Sequence, residues 1–111
     1  MEFHIRKVNQ TATGGSYVVI YEGELTWIED EPRFEVQISR TDPQDADPAL
    51  VEEARIAILS GLEEVLRPKG LGASLSVKRL VVHPTDFKAW RFKHHTAAEL
   101  SRILDEAAGA R

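Results

Sequence analysis

Alternating apolar and polar positions mark four strands along the chain, and a wider spacing marks two helices. Phe3 and Ile5 alternate with polar neighbours, which predicts a short strand over 3–8. Tyr17-Val18-Val19-Ile20-Tyr21 is β-branched and aromatic, and its strand is expected to run over 17–28 with Gly23 at a bulge or bend. Over 33–40, Phe34, Val36 and Ile38 share one face while Glu35 and Gln37 take the other. A polar stretch ending in Gly14-Gly15 and the turn Glu29-Asp30-Glu31-Pro32 separate these three segments, so an antiparallel meander is expected. A fourth strand over 75–82 carries Lys78-Arg79 in its middle, so at least one of its faces meets water.

Between the third and fourth strands a helix is expected over 48–67. Asp47 is its N-cap and Pro48 its first position, and Val51, Ala54, Ile58, Leu62, Val65 and Leu66 form its apolar stripe. Gly61 inside it is expected to mark a close approach of helix to sheet. Thr96-Ala97-Ala98-Glu99 has the pattern of a capping box, which predicts a last helix over 97–108 with Leu100, Ile103, Leu104 and Ala107 inward. The order β-β-β-α-β-α predicts an α+β fold over 1–111 as a single domain. A mostly antiparallel, single-layer sheet of four strands would carry two helices on one face.

Composition narrows the function classes. The 111 residues are 42% hydrophobic and 29% charged, enough for one globular core. No apolar run approaches the ~18 residues of a membrane span, so no membrane association is expected. Met1-Glu2-Phe3-His4-Ile5-Arg6 has no apolar signal region, and cysteine is absent, which excludes disulfides and thiolate chemistry and fits a cytoplasmic protein. The net charge of −4 is unevenly divided. Residues 1–68 hold six Lys/Arg against fourteen Asp/Glu, a net of −8, whereas residues 69–111 hold eight against four, a net of +4. A local basic patch on an acidic protein can bind phosphates.

That patch concentrates between His83 and His95, where Lys88, Arg91 and Lys93 interleave with Phe87, Trp90 and Phe92. Cations alternating with aromatic rings can hold a phosphate backbone and stack bases. Lys88, Trp90, Arg91, Lys93, His94 and His95 are therefore the candidate residues for binding RNA or another partner. The alternative is that the rings pack under the last helix, and the exposure of Trp90 separates the two. His83, Asp86, His94 and His95 are possible metal ligands by residue type, but their spacing makes no recognisable site, and no metal or cofactor is expected. Glu22 and Glu24, about 7 Å apart on one strand face at ~3.4 Å per residue, could form a carboxylate pair, although charged residues on an open sheet face are commoner. No serine lies in a nucleophile motif, and no reaction class is indicated.

From about Tyr17 to Ala108 the chain resembles domain IV of elongation factor G, here as a stand-alone domain. The carrying features are Arg33-Phe34-Glu35-Val36, Val51-x-x-Ala54-x-x-Ala57-Ile58-x-x-Gly61-Leu62, Gly70-Leu71-Gly72, Leu75-x-Val77-x-x-Leu80, and the helix opening Thr96-Ala97-Ala98-Glu99-Leu100. The resemblance implies the same β-β-β-α-β-α order with a left-handed βαβ crossover, and a contact with RNA or the ribosome through loops at the domain's tip. The chain departs from the family in having no P-loop, a longer segment after the last strand, and His95 where an Asp usually stands. The alternative function is a protein-binding or self-associating module that uses the open sheet face or the acidic first half; a third reading is a small metal-dependent enzyme, which would need His83, Asp86 and a further His to converge in a pocket.

Overall fold

The computed structural model describes residues 1–11 and 15–109; the expected turn at Gly14 lies outside the described residues. Strand β1 (Glu2–Asn9) pairs antiparallel with β2 (Tyr17–Ile28), and β2 pairs antiparallel with β5 (Gly72–Val81). The free side of β5 takes two short parallel partners, β3 (Phe34–Ile38) and β4 (Thr41–Asp42). The long path through the sheet is β1-β2-β5-β3. Helix α1 (Pro48–Leu66) lies between β4 and β5 in the chain, and α2 (Ala89–Gly109) follows β5. The class is α+β, as expected, with a mixed sheet of five strands.

The expected meander is corrected at its third strand. β3 does not return along β2, because β1 and β5 occupy both edges of β2. It runs instead beside β5, with Val36 opposite Leu75, and α1 makes the crossover that a parallel pair requires. Alternation reported correctly which side chains share a face: Phe34, Val36 and Ile38 all pack on the core. It carries no information on which strand lies alongside.

Asp47 caps α1 as its sequence predicts: its carboxylate accepts from the Ala49 N–H at 2.9 Å. The helix ends one residue early, at Leu66, in a single 3-10 turn over Arg67–Lys69. The expected bulge is present at Glu22/Gly23, but the extra residue belongs to β5. Glu22 faces Arg79 and Gly23 faces Val77, so Lys78 is left over. The bulge resets the alternation, so Val77 and Leu80, three apart, both point inward. Lys78 is exposed and Arg79 half-exposed, so the second face of β5 meets water.

A single buried cluster joins the inner face of the sheet (Phe3, Ile5, Tyr21, Leu25, Val36, Leu75, Val77, Leu80) to Ala54, Ile58, Leu62 and Leu66 of α1 and to Phe92 and Leu100 of α2. Both helices therefore cover the same face. At its centre Tyr21 lies between Phe3 and Phe92, with ring centroids 6.0 and 6.3 Å away. The Tyr21 hydroxyl meets Thr96 Oγ1 at 2.6 Å, fully enclosed, and burial holds the phenol well above its ordinary pKa.

This contact corrects two expectations. Thr96 is not the N-cap of the last helix. It lies one turn beyond Phe92 in a helix that already began at Ala89, and its hydroxyl is engaged by Tyr21. Gly61 does mark a close approach, but to α2 and not to the sheet. A Cβ built on it would stand 2.8 Å from the Lys93 carbonyl oxygen and 3.0 Å from Thr96 Cβ.

Two outcomes follow. Gly61→Ala adds helix propensity worth ~1 kcal/mol, yet it forces α1 and α2 apart against a backbone atom, at an overpacking cost of about 1–3 kcal/mol. Urea unfolding should show a net loss of stability; a gain would mean that the helices are not this close. Tyr21→Phe and Thr96→Val should each destabilise, and their double-mutant cycle should give a coupling of ~1 kcal/mol, the usual worth of a buried hydrogen bond.

Candidate functional site

The segment expected as a loop from His83 to His95 divides in two. Its first part is tied to the start of β2. The Val18 N–H donates to Asp86 O at 3.3 Å, and Lys88 Nζ donates to Ser16 O. The Lys88 ammonium is thus engaged and half-buried, so of the three candidate cations it is the one the fold itself uses. The second part is the first two turns of α2, starting where the Arg91 N–H donates to Lys88 O at 3.0 Å.

Helical spacing then sorts the aromatic and basic residues by direction. Phe92 is completely buried, and Phe87 packs against it at 5.4 Å, so these two rings belong to the core. Trp90 is 58% exposed. The two readings of this segment therefore apply to different rings. Arg91 and His95, one turn apart, both lie over the ring of Tyr17. Lys93 lies on the other flank, lining a shallow groove of about 420 Å³ with Trp90 and with Glu53, Ile56 and Ser60 of α1. His94 is exposed between the flanks, its ring edge-on to His95 at 5.0 Å. The six candidate residues thus form no single patch: Arg91, His94 and His95 stay together, Lys93 separates, and Lys88 is sequestered.

The Arg91 guanidinium carbon lies 4.0 Å from the centroid of Tyr17 and 4.1 Å from that of Trp90. Each such cation–π contact contributes ~0.5–1 kcal/mol at an exposed site, and two of them fix the side chain's direction. His95 stacks on the same Tyr17 ring, with centroids 5.5 Å apart. Tyr17 and Lys7 are the members of this site that the sequence did not point to. Each reads as an ordinary strand residue, and they reach α2 only through the β1–β2 register, in which Lys7 faces Val19 and Asn9 faces Tyr17.

Many of the surface cations are paired, whereas, among the described residues, those of this flank are not. Arg33, Arg55, Arg67, Lys78, Arg79 and Arg102 each have a carboxylate within 4 Å. Among the described residues, Lys7, Arg91 and Lys93 have none. The His95 imidazole is held below its ordinary pKa, first by burial and then by the positive charges of His94, Arg91 and Lys7. Arg91 Nε and His95 Nε2 are enclosed and have no hydrogen-bond partner among the described residues.

The remaining candidates stay separate. His83 Nδ1 accepts from the Asp86 N–H at 3.2 Å and lies 3.7 Å from its carboxylate, a local turn contact. Among the described residues no group of three His, Cys, Asp or Glu is placed to hold a metal ion. On the open sheet face, Glu24 pairs with the N-terminal ammonium at 3.4 Å and with Lys78 at 3.6 Å. No described helix is long and apolar enough to cross a membrane. No protein-family model matches the chain, and comparison with curated proteins finds no match.

The lowered pKa of His95 has a signed consequence. Over the imidazole range the folded chain binds fewer protons at His95 than the unfolded chain does. Stability is therefore lost as pH falls through the ordinary value of 6.5, and the loss is complete below the folded-state pKa. Urea unfolding between about pH 8 and pH 5 should show a smaller loss for His95→Gln than for the unaltered chain. Equal losses would show that His95 is not strained by its neighbours.

Proposed function

We propose that this chain is a small RNA-binding module that grips single-stranded RNA through the Tyr17–Arg91–Trp90 stack and the cations beside it. The observation that carries this reading is Arg91, held between two rings, close to Lys7 and His95, with no acidic partner. A guanidinium already stacked and oriented loses little freedom when it meets a phosphate or a base. Trp90, more than half exposed beside it, offers a stacking face, and stacking one base contributes ~1–3 kcal/mol. The order β1-β2-β3-β4-α1-β5-α2 differs from β-β-β-α-β-α only by the two-residue β4, and with β3 and β5 parallel on either side of α1 it supports the further proposal of a relationship in fold to domain IV of elongation factor G, and with it the ribosome as a source of the RNA.

A second reading has an observation of its own. Ile56 and Trp90, 52% and 58% exposed, line the groove between the helices together with Ala57 and Ala89, and an apolar protein segment would fit there.

Titration with a short mixed-sequence RNA at about 50 and 200 mM salt, followed by tryptophan fluorescence, separates the two. Saturable binding that weakens with salt is expected. Arg91→Ala should weaken it and reduce the slope of log affinity on log salt by ~0.7, the value for one contact to a single strand. Trp90→Ala should weaken it about 10-fold, within the range for one stacked base. No binding at the lower salt would overturn the RNA reading and leave the groove to a protein partner.

A further inference from the structure

On the β1 side of α2 a groove of about 360 Å³ is lined by His4, Ile5, Arg6 and Lys7 of the strand and by His95, Ala98, Glu99 and Arg102 of the helix. Its one carboxylate, Glu99, is already engaged by Arg102 at 2.5 Å. Lys7, Arg91 and His94 all bring positive charge against His95, while Tyr17 of β2 covers its ring. The His95 Nε2 atom has no partner among the described residues. Every group that faces His95 with charge to spare is thus basic, in a protein whose acids outnumber its bases by eighteen to fourteen. Carboxylates are not scarce, yet the one in this groove is already engaged.

We propose that this groove is a phosphate site in which His95 binds as the imidazolium, with Lys7 beside it and the charge of Arg91 behind it on Tyr17. The inference rests on the RNA reading and deepens it. The group recognised is a backbone phosphate, and binding it takes up a proton. In the free protein, burial and three positive neighbours favour the neutral ring. A phosphate in the groove opposes both, since its negative charge offsets the positive neighbours and favours the imidazolium. Linkage then makes the coupling reciprocal: acid tightens phosphate binding, and phosphate raises the pKa of His95 by the same free energy. His94, His4 and Arg6 set the background potential. His94 is exposed, and its ring meets His95 edge-on and not Tyr17.

The test follows the histidine ring protons by NMR across the imidazole range, alone, with sulfate, and with the short RNA. Sulfate serves as a divalent oxyanion whose own charge is constant over this range. The expected result is a rise in the His95 pKa with either ligand. RNA affinity should tighten by up to about 10-fold per pH unit of acidification, the limit for one proton. His95→Gln should flatten that dependence, and His94→Gln should leave it largely in place. RNA that binds without moving the His95 titration, or His95→Gln with the original pH dependence, would overturn the proton-coupled site while leaving the RNA reading intact. Absence of RNA binding at every pH would instead overturn the RNA reading, and the sulfate arm would then decide the anion site by itself.

Discussion

The buried contact between Tyr21 and Thr96 sets the orientation of everything on α2. Hydrophobic burial by itself has no direction, so it fixes the phase of a helix on a sheet only through the fit of its side chains. A hydroxyl pair at 2.6 Å in a fully enclosed position has direction, and losing it leaves two buried polar groups unsatisfied. With Thr96 held inward and Phe92 stacked on Tyr21 one turn earlier, the phase of the helix is fixed. Arg91 and His95 must then face Tyr17, Lys93 must face α1, and Trp90 must face solvent. Gly61 serves the same end from the other side, letting α1 come against the backbone at Lys93 and closing the space into which α2 could turn.

The basic flank is costly by its construction. In exposed pairs such as Arg55 with Glu52 and Arg102 with Glu106, a cation sits within reach of a carboxylate. Such pairs add little stability each, ~0–1 kcal/mol, but they cancel charge. Lys7, Arg91 and the two adjacent histidines have no such cancellation, and two of their nitrogens are enclosed without partners. Unpaired like charges that crowd one imidazole until it resists protonation work against folding. Groups arranged at a cost to the fold are those expected to act on something outside it.

The face assignments of the strands were legible because each strand has one dry side, so Phe3, Ile5, Val36 and Leu75 announce themselves by alternation. The start of α1 was legible because Asp47-Pro48 acts locally. What the sequence concealed was set by distant partners. The pairing of β3 with β5 depends on which edges are already taken. The start of α2 was hidden because Thr96-Ala97-Ala98-Glu99 satisfies the local rule for a cap, while Tyr21, seventy-five residues away in sequence, claims the hydroxyl. The candidate site was partly legible for a related reason. Composition located the cations and rings between Lys88 and His95, but only the helix phase separates Lys93 from Arg91. Tyr17 and Lys7 enter solely through the register of β1 on β2.

The acidic remainder of the molecule also shapes what can approach. The open face of the sheet carries Glu2, Glu22 and Glu24, which line one depression with His4 and Lys78, and the exposed turn before β3 carries Glu29, Asp30 and Glu31. A polyanion meets repulsion at these acidic stretches and attraction where Lys7, Arg91, His94 and His95 lie together. Opposed potentials on two sides of a small body orient a charged partner before contact, so the net charge of −4 sharpens the direction of encounter and does not weigh against it. Two fixed cations give attraction at every pH, whereas an imidazole whose pKa is lowered by burial and by its neighbours carries less charge over its titration range. The flank then avoids part of the self-repulsion it would otherwise carry in the unliganded state.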